Sequence, residues 1–289
     1  MTESDRKVNA LIVDCGEPDP CRKRIRDYLN KEADRNNHYE YKFIVEAYLK
    51  HDTEETIRQK ITDMILKLLH LSVSGGAAHE LKHPENALFC LMIIGLESND
   101  ARVCHQLQKG LRDLSSPTDP YVRHHWYRAM AALQGIYDEN ENSRVQEQKD
   151  DEDFWRQELA KNKDNDIRTL ILYALAKANW SVFEDRKIYQ ALVDSTPPDS
   201  GKISLHATLP WRFVREHPGI HRLLETVDRH QPSHEKKEKD LISWISQSME
   251  DEFSKITTEE WLDRMRKKYR WLKLEDRSAC PSFHKPGIK

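Results

Sequence analysis

The sequence predicts a mainly α-helical fold of stacked helical pairs, with one or two short strands admitted near the N-terminus. Three observations predict it. Only nine of the 289 residues are glycine, and the helix formers Leu, Lys, Glu, Arg and Ala abound. Long stretches place apolar residues at i, i+3, i+4 and i+7. A short motif also recurs: Asp119-Pro120-Tyr121-Val122-Arg123 runs into Ala129-Met130-Ala131-Ala132-Leu133, and Asp164-Asn165-Asp166-Ile167-Arg168 runs into Ala174-Leu175-Ala176-Lys177-Ala178. A blurred copy, His83-Pro84-Glu85-Asn86-Ala87, runs into Ile93-Ile94-Gly95. The copies start about 40 residues apart, a spacing at which self-similarity marks stacked helical units.

Taken in order, Val8 to Val13 is a short apolar run closed by Asp14-Cys15-Gly16, which predicts a buried strand. Asp19-Pro20 starts a helix with Ile25, Tyr28 and Leu29 on one face. Tyr39 to Leu49 admits a strand or a helix. Asp52-Thr53-Glu54-Glu55 caps a strong helix, with acids where the dipole favours them. Its stripe is Ile57, Ile61, Met64, Ile65, Leu68 and Leu69, and Gly75-Gly76 breaks it. The segment from Pro84 to Leu96 is apolar nearly all round, so a helix there is central; a buried strand over Leu88–Ile94 is the competing reading.

Asn99-Asp100 starts the next helix, faced by Val103, Leu107, Leu111 and Leu114. After a loop, Pro120 opens a helix whose inner stripe is Val122, Trp126, Ala129, Met130 and Leu133. Asp138 to Asp153 holds eight acids and two bases and reads as an exposed linker. Helix resumes at Phe154–Leu159, and the third motif copy turns Ile167, Leu170, Ile171, Ala174, Leu175 and Ala178 inward. Ser195 to Leu209 is a boundary, followed by helices over Ile220–Val227, Lys239–Phe253 and Thr258–Leu274. The chain is thus expected to divide into an N-terminal segment 1–52, helical repeats 53–195, a C-terminal helical region 196–276 and a tail 277–289.

A third of the residues are charged, yet the net charge is −3, so no general attraction to polyanions or membranes follows. The five cysteines, Cys15, Cys21, Cys90, Cys104 and Cys280, form no CxxC pair and read as free thiols in a reducing compartment. The polar start Met1-Thr2-Glu3-Ser4-Asp5 is no signal peptide. The longest apolar run, Ala87–Ile94, is too short to span a bilayer. The expectation is a cytoplasmic protein with no membrane partner.

Three resemblances bear on function. Strand–helix–strand at the N-terminus resembles the start of a receiver domain, but Cys15 and Gly16 stand where that family places its acidic neighbour to Asp14. The Asp-x-x-apolar-Arg signature resembles HEAT repeats over residues 53–195. That resemblance implies antiparallel helix pairs, with Asp119, Arg123, Asp164 and Arg168 linking adjacent repeats. His79-Glu80-Leu81-Lys82-His83 is an HExxH string and resembles the zincin metallopeptidases. On a helix, His79 and His83 would share a side and hold Zn²⁺, Glu80 would activate a water, and Glu97 is the candidate third ligand. Against this, Pro84 pushes His83 out of helical geometry, and the bland reading is a polar loop leading into the Pro84 helix.

The favoured function is a non-catalytic adaptor or regulatory scaffold, without cofactor, that binds a protein partner. Its expected contact surface is the last helix, where Trp261, Arg264, Lys268, Tyr269 and Trp271 combine aromatic area with positive charge. One alternative is a zinc-dependent metallopeptidase using the HExxH string. The other is nucleic-acid binding through the same basic helix. His124-His125 beside Trp126 reads as one histidine at the core edge and one in solvent.

Overall fold

The computed structural model describes residues 2–34, 39–50, 55–73, 80–98, 100–114, 116–135, 137, 145–179, 181–182 and 185–195. Among these there are ten helices and no strand. They fall into two compact units, one running to Leu133 and the other starting at Gln134.

The first unit holds α1 (Glu3–Asp14), α2 (Pro18–Leu29), α3 (Lys42–Lys50), α4 (Glu55–Val73), α5 (Pro84–Ser98), α6 (Ala101–Arg112) and α7 (Pro120–Leu133). The strand expected over Val8–Val13 is instead part of α1. Two local facts decide it. Thr2 and Asp5 form a reciprocal capping box: Thr2 N–H donates to Asp5 Oδ2 at 2.9 Å, and Asp5 N–H donates to Thr2 Oγ1 at 3.1 Å. The buried residues are Val8 and Leu11, spaced as on a helix, while Val13 is 75% exposed. Tyr39–Leu49, left open by its pattern, contributes α3, against which Ser4, Asp5 and Lys7 are tied through Glu46, Lys50 and Glu40. The receiver-like reading therefore loses both of its strands.

Prolines 18 and 20 lie in the first turn of α2, where their missing N–H costs nothing. Cys21, Ile25, Tyr28 and Leu29 form its buried face. In α4 the buried positions are Ile61, Thr62, Ile65, Leu68, Leu69 and Ser72. The segment Leu88–Ile94 is helical, and α5 buries residues on every side, from Asn86 through Gly95 with only Phe89 half-exposed. It packs against α2, α3, α4, α6 and α7. Successive odd helices touch (α1 with α3, α3 with α5, α5 with α7), as do α2 with α4 and α4 with α6. Each helix also packs on its sequence neighbour from α1 to α7.

The second unit is described over α8 (Val145–Lys161), α9 (Asn165–Ala178) and α10 (Arg186–Ser195), with α9 packed on both others. The linker expected over Asp138–Asp153 is corrected here: 145–153 is the first half of α8, and Asp151 is only 1% exposed. Asp151 Oδ2 accepts from Gln134 Nε2 and Tyr137 Oη, both at 2.7 Å, and Trp155 Nε1 donates to Gln134 Oε1 at 2.7 Å. These bonds let an acid occupy the inward stripe that Trp155 and Leu159 continue.

Two expected outcomes follow from this packing. A Cβ on Gly95 would collide with Leu133 Cδ2, a buried side chain, whereas one on Gly110 would meet the half-exposed Leu66 at 2.6 Å. Gly95→Ala should destabilise the first unit, since overpacking of about 1–3 kcal/mol exceeds the ~1 kcal/mol gained in helix propensity. Gly110→Ala should be neutral or stabilising by up to ~1 kcal/mol; urea denaturation followed by circular dichroism ranks the two. The second outcome concerns Asp5, whose carboxyl is held down from 3.8 to about 2, chiefly by the Thr2 N–H, then by the Thr2 hydroxyl and Lys50. A depressed folded pKa means that the cap stabilises α1 above the ordinary value and is lost as pH falls through about 2. An NMR titration of Asp5 should show that low midpoint, and Thr2→Ala should raise it.

Candidate functional site

Helix α7 presents two faces. Asp119 Oδ1 accepts from Val122 N–H at 2.9 Å, which caps the helix that Pro120 opens. Val122, Trp126, Ala129, Met130 and Leu133 point into the core. Trp126 Nε1 donates to Leu111 O at 3.0 Å and so sets the rotation of α7 against the end of α6. With that rotation set, Tyr121, His125 and Arg128, spaced i, i+4 and i+7, form a second stripe beside Phe89 of α5.

That stripe is an aromatic cluster. The Tyr121 and His125 rings lie 4.5 Å apart edge to face, and Phe89 and His125 lie 4.9 Å apart. The Arg128 guanidinium stands 5.7 Å from the Phe89 centroid, within cation–π range. Tyr121 is 61% exposed, while His125 is buried and His124 half-exposed, so neither histidine is fully in solvent as one was expected to be. Burial, then the nearby Glu85 and Tyr39, push the Tyr121 phenol upward from its ordinary value. It stays protonated at neutral pH and can donate a hydrogen bond. Tyr39 stacks on Tyr41 at 5.1 Å. The arrangement offers ring faces, a phenol donor and a guanidinium, which is the chemistry of a binding surface. The sequence pattern singles out the two histidines but not Tyr121, Arg128 or Phe89; Phe89 joins the others only across the α5–α7 contact.

The HExxH string has a different setting. His79 lies outside the described residues. Residues 80–83 are not helical; they lead into α5 at Pro84, so the helical placement implied by the zincin resemblance is not present there. Glu80, 15% exposed, is gripped by Arg22 Nη2 at 2.6 Å and Arg26 Nη1 at 3.3 Å. Asn30 Nδ2 donates to Glu80 O at 3.1 Å, and Lys82 N–H donates to Asn30 Oδ1 at 2.6 Å. His83 Nδ1 lies 3.3 Å from Glu85 Oε1. Glu97 sits half-buried in the last turn of α5. Among the described residues no group of three or more His, Cys, Asp and Glu side chains could hold a metal ion.

The remaining motif residues act locally. Asp164 caps α9, accepting from Asp166 N–H at 2.9 Å. Arg168 Nη1 donates to Leu159 O and Asn162 O at 3.2 and 3.1 Å, closing the end of α8. Arg123 Nε is buried without a hydrogen-bond partner among the described residues. Trp261, Arg264, Lys268, Tyr269 and Trp271 lie outside the described residues. No helix among the described residues is long and apolar enough to cross a membrane.

No family model matches the chain, and no characterised protein or solved structure matches it either.

The Glu80 contacts make a clear expectation. Glu80→Ala should cost about 1–3 kcal/mol, because two part-buried guanidinium groups lose their shared acceptor. Hydrogen exchange at the Lys82 amide should quicken in the same variant, and urea denaturation reads the stability loss.

Proposed function

We propose that this chain is a non-catalytic recognition scaffold, an adaptor or regulator, that binds a protein partner through the aromatic face of α5 and α7. The observation that carries the reading is Tyr121, a large aromatic 61% exposed, set on His125 at the edge of the cluster that His125 forms with Phe89, over which Arg128 lies. Aromatic side chains, with few rotatable bonds, lose little conformational freedom on binding, and aromatic and Arg side chains both serve as anchors.

An irregular solenoid of HEAT type is the architecture that suits this role. It is supported by the alternating contacts of odd with odd and even with even helices in the first unit. It is supported also by the motif copies, which open α5, α7 and α9, always two helices apart. Such stacks present extended surfaces to partners. On sequence grounds alone, Trp261, Arg264, Lys268, Tyr269 and Trp271 are proposed as a second contact.

A photoreactive phenylalanine at position 121 should crosslink a partner protein that the same group at Lys149, on the exposed side of α8, does not reach. Against that partner, Tyr121→Ala should weaken binding by about 2 kcal/mol, roughly thirtyfold, with an unchanged circular dichroism spectrum. Unaltered affinity in both Tyr121→Ala and Phe89→Ala would remove the reading.

A further inference from the structure

Cys15 closes α1 and Cys21 lies in the first turn of α2, so the turn between them carries two thiols. Their sulfur atoms are 2.6 Å apart, and both residues are free cysteines. The side chains are 1% and 2% exposed, yet residues 16–20, which lie between them in the chain, are all exposed. The pair thus sits under a stretch of chain that faces solvent. Arg24 Nε donates to Asp14 Oδ2 at 2.7 Å and holds the two helix ends together. Lys60 Nζ donates to Cys15 O at 3.2 Å and sets a positive charge beside the sulfurs.

We propose that Cys15 and Cys21 form a reversible intramolecular disulfide when the protein meets a peroxide, making this turn a redox modification site. The two sulfurs play different parts. In the contact between the two thiols, where either sulfur can donate, the neighbouring Cys15 favours the Cys21 thiolate over the opposing effect of burial, and Lys60 adds to this. The same contact pushes the Cys15 thiol upward. The start of α2 favours negative charge at Cys21 as well. The Cys21 thiolate attacks one peroxide oxygen, the O–O bond breaks, and hydroxide leaves to take up a proton as water. The resulting Cys21 sulfenic acid then reacts with Cys15: an S–S bond forms, the S–O bond breaks, and the Cys15 proton departs with the oxygen as a second water. Two thiols are oxidised by two electrons and one peroxide is reduced to two waters. A dithiol reductant reverses the bond by exchange. Cys90 is the contrast, since it is fully enclosed and burial alone pushes its thiol upward.

The test uses the full chain treated with a small excess of hydrogen peroxide, then denatured, alkylated without reduction and digested with trypsin. The peptide Val8–Arg22 contains both cysteines and no internal cleavage site. It should lose two hydrogens and accept no alkyl group, and dithiothreitol should restore double alkylation. The Cys90 thiol should stay fully alkylatable. In Cys15→Ser, Cys21 sulfenic acid should become trappable by dimedone, about tenfold above the wild-type level. The proposal is overturned if wild-type Val8–Arg22 remains doubly alkylated, or carries sulfinic acid on Cys21 with Cys15 still alkylatable. The wild-type result decides the matter even where the variant does not fold.

Discussion

A helix buried nearly all round has to be enclosed by its neighbours, and α5 imposes that constraint on the first unit. Nine of its residues are buried, and each large apolar side chain among them contributes roughly 1.5–3 kcal/mol on leaving water. No single neighbour can cover it, so α2, α3, α4, α6 and α7 all lie against it. Gly95 permits a close approach by Leu133 of α7. The one polar side chain drawn in, Asn86, is satisfied by donating to Leu29 O at 2.9 Å. The aromatic face follows from the same arrangement, because the α5–α7 contact is what brings Phe89 to His125.

Much of this was legible in the sequence. Helices α2, α4, α6 and α7 announced themselves through their spacing, and the all-round apolar character of α5 placed it centrally. The failure at Val8–Val13 has a physical cause: a six-residue segment, apolar except for Asn9, is too short to show a period, and the capping box upstream at Thr2 and Asp5 separates helix from strand. The acidic stretch before Phe154 misled for another reason. Charge density signals exposure only on average. Asp151 is inside because Gln134 and Tyr137, distant in sequence, supply its hydrogen bonds. The site divides in the same way: Tyr121, His124 and His125 belong to one helical turn and could be noticed together. Phe89 is joined to them by tertiary packing that local spacing does not encode.

The two histidine-bearing segments sit in different environments. Glu80 has the sequence context of a general base but lies between two guanidinium groups that occupy its oxygens. Its interactions tie the approach to α5 onto α2. In the aromatic cluster, Tyr121 is 61% exposed and its ring rests edge to face on the buried His125. Rigid support with an open aromatic tip is what an anchoring contact needs.

The polar links between α2 and the α5 region also bear on how the gene can be cut. Glu80 leans on Arg22 and Arg26, Asn30 exchanges hydrogen bonds with Glu80 and Lys82, and Asn86 relies on Leu29. Expressing a fragment that begins near Asp52 would strip acceptors and donors from all of these at once and bare one flank of α5. A fragment that preserves these links has to keep α2 together with α5.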